Sequence, residues 1–260
     1  GILSVPKGAF PDVLAAMQRD LGVEGPVLVA GMAGSNRGWF EAPYVAAPAS
    51  AAAIAAAAVP VPGARGVWIA PGVRMAPLHR ADVMRGEETQ ILGAGVEDGL
   101  LCLPGTHTKW ARVAAGAISA FSTTMAGEVF SLLRKHSILS GSLPVEASAQ
   151  PDTDGFLAGL GAAKQGRFLS AAFGVRPMSL LEGRGPAWCE GYLSGLVIGT
   201  DVREGGVELG AAVTVIGADG LARLYADGLR AAGAIPRIVD GAEAFVHGAW
   251  RIAQKLDWEI

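Results

Sequence analysis

What most constrains this chain is a set of short, almost wholly apolar runs that end in glycine. Val27 to Ala30 runs into Gly31, and Gly66-Val-Trp-Ile-Ala-Pro-Gly, Leu100 to Leu103 before Pro-Gly, and Ala212 to Ile216 before Gly217 follow the same pattern. A strand without polar alternation is covered on both faces, as in a parallel sheet with helices on either side. The last stretch repeats the unit as βαβα. It has a strand at 212–216, a turn at Gly217-Ala-Asp-Gly, a helix over 221–232, a strand over 235–239 and a closing helix over 242–254. The fold class is therefore α/β.

Helical spacing fills the intervals. Phe10, Val13, Leu14, Met17 and Leu21 predict a helix that tolerates Pro11 in its first turn and stops at Gly22. The alanine-rich stretch 49–58 is helical by propensity. Helices are also expected over 156–163, 167–173 and 187–202, the last packing Trp188, Tyr192, Leu193, Leu196 and Val197 into a core. Val73 to Asp82 reads as a loop, with His79 a solvated residue within it.

The densest signal lies between residues 84 and 128. Glu87 and Glu88 open a helix, since acidic residues in a first turn face unsatisfied N–H groups and the positive dipole end. The strand 100–103 closes in Pro104-Gly105-Thr106-His107, and 109–113 and 118–121 continue a meander. Gly127-Glu128 starts a helix with Val129, Leu132, Leu133 and His136 on one side, where Glu128 either caps the helix or reaches a ligand. An acid pair followed by a glycine turn is an arrangement for phosphoryl transfer. Glu87 or Glu88 can accept the proton of an attacking alcohol, and the turn can offer backbone N–H groups and the Thr106 hydroxyl to phosphate oxygens. Each feature alone is also an ordinary helix start and an ordinary turn.

A second loop leaves the carboxyl end of the 27–30 strand, a usual ligand position in open α/β sheets. Ser35, Asn36 and Arg37 supply a hydroxyl, an amide and a cation suited to a polyhydroxylated acid, and Trp39 can stack on its carbon face. The alternative is a surface loop with an ordinary arginine. Gly217-Ala218, after a buried strand, is a usual place for a nucleotide base or ribose.

Other chemistries find no support. The chain has no P-loop, no dinucleotide-binding glycine pattern and no nucleophile elbow. A net charge of −3 gives no footprint for nucleic acid, and no apolar run is long enough for a membrane span. Cys102 and Cys189 read as buried small hydrophobes. With no secretory signal, the cytoplasm is the expected compartment. The 260 residues leave room for one large or two small domains, and Gly1-Ile-Leu-Ser-Val-Pro reads as the exit from a strand, so a segment is expected upstream.

Val-Met-Arg-Gly-Glu-Glu-Thr-Gln, Leu-Pro-Gly-Thr-His-Thr-Lys-Trp and Thr-Met-Ala-Gly-Glu-Val-Phe with Arg134-Lys-His-Ser-Ile-Leu closely resemble the 2-dehydro-3-deoxygalactonokinase family of the De Ley–Doudoroff pathway. Ala30-Gly-Met-Ala-Gly-Ser-Asn-Arg-Gly-Trp, Tyr192-Leu-Ser-Gly-Leu-Val-Ile-Gly and the Val215-Ile-Gly-Ala turn match as well. The resemblance implies an actin-like (ribonuclease H-like) two-domain ATPase fold with a cleft between its lobes, divided here as residues 1–84 and 85–260, the last helix packing back on the first lobe. It implies transfer of phosphate from ATP, with Mg²⁺, to the 6-hydroxyl of 2-dehydro-3-deoxy-D-galactonate. It places the base on Glu87 with Glu88 as alternate, the phosphates at Gly105, Thr106, His107, Thr108 and Lys109, adenosine at Gly217 and Ala218, and the sugar acid at Ser35, Asn36, Arg37, Trp39 and Arg85. The metal-orienting aspartate of such folds is expected upstream of Gly1, and residues 1–260 alone are expected to bind nucleotide poorly. A kinase for the gluconate epimer or another sugar, and a non-catalytic sugar-acid sensor, are the competing expectations, and a homodimer is one expected state.

Overall fold

A computed structural model describes residues 4–6, 8–75, 81–146, 148 and 150–258. In chain order it places α1 (Phe10–Leu21), β1 (Val27–Val29), a 3-10 turn (Gly31–Gly34), β2 (Tyr44–Ala46), α2 (Ala51–Ala56), β3 (Val59–Pro60), β4 (Val67–Ile69), β5 (Gly72–Met75) and β6 (Asp82–Met84). There follow α3 (Glu87–Gly93), β7 (Gly99–Leu103), β8 (Thr108–Ala114), β9 (Ala117–Thr124), α4 (Ala126–His136), α5 (Thr153–Ala163), α6 (Phe168–Phe173) and α7 (Val175–Leu181). The chain closes with α8 (Pro186–Glu204), β10 (Ala212–Gly217), α9 (Asp219–Ala231), β11 (Ile235–Asp240) and α10 (Gly241–Ala253). Two compact units emerge: Gly1–Asp98, Ala111–Phe121 and Gly241–Ile260 form one, Gly99–Trp110 and Ser122–Asp240 the other.

In the first unit β1 runs parallel to β4, with Leu28 opposite Trp68, and Ile69, Val67, Ala42 and Val61 form the core beside them. α1 keeps Pro11 in its first turn and ends at Gly22, whose left-handed backbone donates to the Arg19 and Gln18 carbonyls. α3 crosses α10 at two glycines. A Cβ on Gly93 would stand 1.8 Å from the Ala244 carbonyl oxygen, and one on Gly248 would stand 1.8 Å from that of Thr89. The two backbones touch there because neither residue has a side chain.

The second unit is built on the sheet β11-β10-β7-β8-β9, of which β8 and β9 contribute residues to both units. β10 is parallel to both neighbours, pairing Val215 with Cys102 and with Ile238. Leu100, Cys102, Val213 and Val215 pack with Trp110, Phe156, Tyr225 and Leu229 into one core. α8 buries most of its length, and α5 lies on it so closely that a Cβ on Gly159 or Gly195 would strike backbone carbonyl oxygen at 2.1 and 2.0 Å.

The mixed α/β class is the one expected. The loop expected over 73–82 is different: Gly72–Met75 and Asp82–Met84 are antiparallel strands with Val73 opposite Met84, and β5 also runs parallel to β2. His79 lies outside the described residues. The turn expected at 217–220 is shorter, because α9 already begins at Asp219. Cys102 and Cys189 are buried free thiols.

Candidate active site

The turn before α3 folds two carboxylates back on its own backbone. Arg85 N–H donates to Glu87 Oε2 at 3.0 Å, and Gly86 N–H to Glu88 Oε2 at 2.7 Å. Gly86 makes this possible with φ of 109°, and its Cα lies against Gly31, so a Cβ there would meet Gly31 Cα at 3.2 Å. The two acids then diverge. Glu88 is fully buried, accepts Thr89 Oγ1–H at 3.2 Å, and is pushed up to about 7, chiefly by burial and further by the charge of Glu87. Glu87 is half-buried.

Arg85 turns inward. Its Nη2 donates to the Ala42 carbonyl at 2.8 Å, its guanidinium lies 4.3 Å from the Tyr44 ring centroid, and its buried Nε and Nη1 have no hydrogen-bond partner. Gly34 leaves room for it, since a Cβ there would come within 2.9 Å of Nη1. The 31–39 loop and the acid turn are thus neighbours within the first unit. Of the loop residues, Asn36 and Arg37 are exposed, while Ser35 Oγ donates to the Met32 carbonyl and accepts from Arg37 N–H. Trp39 stacks on Phe10 at 5.9 Å between centroids.

In the second unit the 104–107 turn sits against the start of α4. Gly127 has no room for a Cβ, which would lie 2.3 Å from the Gly105 carbonyl oxygen, and Glu128 N–H donates to the Thr106 carbonyl at 2.9 Å. Thr106 and His107 are exposed; Thr108 and Lys109 are buried. Lys109 Nζ donates to Thr123 Oγ1 at 2.9 Å, and Thr108 Oγ1 meets Tyr225 OH at 2.9 Å. Tyr225 OH in turn donates to Asp201 Oδ2, and Asp201 Oδ1 accepts from Trp110 Nε1 at 2.9 Å and Thr124 Oγ1 at 2.7 Å. Burial and the adjacent carboxylate of Asp201 push the Tyr225 phenol far up. Asp201 and Tyr225 escaped the sequence reading. The available signal was an acid on a helix face that is otherwise apolar from Tyr192 to Val202.

Gly217 lies beside Pro104 and Ala222, while Ala218 is exposed. A cavity of about 150 Å³ opens next to this turn, lined among others by Gly105, Gly127, Phe130, Leu221, Leu224 and Tyr225. Among the described residues no three His, Cys, Asp or Glu side chains gather to hold a metal ion, and no helix is long and apolar enough to cross a membrane.

The acid pair on its helix start lies in the first unit, and the glycine turn with the apolar cavity beside it lies in the second; known proteins place such a chain among the phosphotransferases. Residues 1–252 match the family model described as 2-keto-3-deoxy-galactonokinase. A probable 2-dehydro-3-deoxygalactonokinase of Rhizobium meliloti (strain 1021) is 35% identical over 244 residues, covering 90% of this chain and 79% of the relative. The 2-dehydro-3-deoxygalactonokinase of Escherichia coli (strain K12) is 35% identical over 236 residues, covering 89% and 79%. A crystal structure of a protein from Sinorhizobium meliloti described as a 2-dehydro-3-deoxygalactonokinase superposes with a TM-score of 0.90 at 33% identity, covering 98% of this chain and 88% of that one. The chain belongs to the 2-keto-3-deoxy-galactonokinase family.

Proposed function

We propose that this protein phosphorylates the 6-hydroxyl of 2-dehydro-3-deoxy-D-galactonate with ATP, giving 2-dehydro-3-deoxy-6-phosphogalactonate and ADP. The observation that carries the reading is the acid turn packed on the 31–39 loop: Gly86 lies against Gly31 and Arg85 against Gly34, Glu87 is half-buried, and the loop leaves Asn36 and Arg37 exposed. Glu87 is the base. Its carboxylate is fixed by the Arg85 N–H but reaches the surface, whereas Glu88 is enclosed. As the substrate oxygen bonds to the γ-phosphorus and the β–γ bridge breaks, Glu87 takes the hydroxyl proton and ADP leaves with the bridging oxygen.

Asn36 and Arg37 bind the sugar acid. Ser35, Trp39 and Arg85 act on it indirectly, the first two by holding the loop and Arg85 by clamping the Ala42–Tyr44 segment. Gly105, Thr106 and His107 line the phosphates, Thr108 and Lys109 hold that turn from inside, and Gly217 and Ala218 border the adenosine. The cavity under Leu221, Leu224 and Tyr225 matches the size and apolarity that suit a flat aromatic base. Mg²⁺ enters this scheme with the nucleotide, as part of the Mg-ATP substrate. The actin-like fold and a cytoplasmic setting, where ATP is supplied, complete the proposal, while the division expected at residues 84 and 85 gives way to the two units described above, which keep Arg85 and the acid pair with the first.

The test is ADP release from Mg-ATP with 2-dehydro-3-deoxy-D-galactonate by protein carrying its native N-terminus, with the gluconate epimer in parallel. Turnover with the galactonate form alone is expected. Equal turnover with both would replace the substrate assignment, and silence with both would overturn the kinase reading.

A further inference from the structure

The scheme above gives His107 a place among the phosphates but leaves Glu128 without a task. Glu128 Oε2 lies 2.6 Å from His107 Nε2, in a pair whose side chains are 49% and 38% exposed for histidine and glutamate. The backbone makes the pairing rigid. Gly127 is pressed against the Gly105 carbonyl and Glu128 N–H is bonded to the Thr106 carbonyl, so the α4 start and the turn move as one piece. His107 Nδ1 has no partner among the described residues. A carboxylate beside a phosphate turn would repel the ligand if it stood alone. Here an imidazole from the turn itself occupies that carboxylate.

Resting on the kinase reading, we propose that His107 is a catalytic residue that donates from Nδ1 to a phosphate oxygen of ATP, and that Glu128 is the positioning residue that holds its Nε2–H. In the nucleotide complex the ring is bonded on both nitrogens, to the carboxylate on one side and the phosphate on the other, and donates to both. Charge spreading over the phosphoryl oxygens during transfer strengthens the second bond, so the pair acts more on the transition state than on the ground state. The sugar acid is not among its contacts.

The experiment compares His107→Gln, Glu128→Gln and the double variant with the parent protein. His107→Gln is expected to lower kcat about 100-fold, the loss typical of one preorganised donor, and Glu128→Gln about 10-fold, with KM for the sugar acid unchanged in both. The double variant should be no slower than His107→Gln alone, since one group acts through the other. Calorimetric titration with Mg-AMP-PNP, which needs no turnover, should show affinity weakened about 5- to 10-fold by His107→Gln. Unchanged nucleotide affinity, or losses that multiply in the double variant, would overturn the pair. An inactive parent protein would sink the kinase reading, and the nucleotide titration would still decide on His107.

Discussion

Two of the carboxylates buried among the described residues, Glu88 and Asp201, sit in different surroundings. Glu88, at the start of α3, accepts the backbone N–H groups of Gly86 and of Glu88 itself and the Thr89 hydroxyl, and is pushed up to about 7 by burial. Asp201, deep on α8, accepts from an indole, a threonine hydroxyl and a phenol. Donors drawn from three separate elements make Asp201 a fixed anchor. Glu88 is bonded within its own turn, and burial together with the charge of Glu87 leaves its proton in play near neutral pH, next to the carboxylate proposed as the base. The contrast teaches that rigidity is concentrated behind the 104–107 turn, while adjustable charge sits beside the proposed base.

Four measurements break or sharpen this contrast. The largest effect is expected from Glu87→Gln, which removes the proposed base: kcat should fall roughly 10²- to 10⁴-fold with sugar-acid affinity little changed, read by single-turnover and binding assays. An unchanged kcat would hand the role to another residue. Asp201→Ala should cost roughly 3–5 kcal/mol in urea denaturation, since two buried donors and one half-buried donor lose their acceptor. A loss below about 1 kcal/mol would mean that water replaces the carboxylate and the anchor is not rigid.

The third measurement follows Glu88. Its folded pKa of about 7 exceeds the reference of 4.5, so the folded state holds the proton longer and this acid takes stability away as pH rises from the lower value to the higher. The loss is about 3 kcal/mol and is complete above the folded value. Glu88→Gln should therefore match the parent protein near pH 4.5 and exceed its stability above pH 7; a parallel pair of stability curves would contradict it. The smallest effect is Tyr225→Phe, expected to cost about 1–2 kcal/mol because Thr108 and Asp201 each lose one bond. It should also leave nucleotide affinity weaker by a few-fold, measured by titration.

Much of the fold was legible in the sequence, and the reason is apolar composition that runs on with little polar interruption. The runs at 100–103, 212–216 and 235–239 and the periodic stretch at 10–21 carry enough apolar residues to declare their type. β2, β5 and β6 have three or four residues each and are strands only through one another, so 73–82 looked like a loop. The acid turn and the glycine turn were visible because their chemistry is local. Asp201 was not, since its partners are 91, 77 and 24 residues away in the chain. Thr108 and Lys109 looked like ligand groups by their place after the turn, yet β8 is covered at both positions and points their side chains inward.

The crossing of α3 and α10 carries a consequence for synthesis. The helix that bears Glu87 and Glu88 is seated by Gly248 and is bonded through Gln90 to Gly241, 151 residues further on. On the ribosome, α3 leaves the exit tunnel long before its partner exists, whereas β7, β10 and the helices between them emerge as one uninterrupted run. The glycine turn is thus ready early, and the acid pair takes its final place only when the closing helix arrives. A nascent chain halted before residue 241 would hold the glycine turn formed and the proposed proton acceptor without its support.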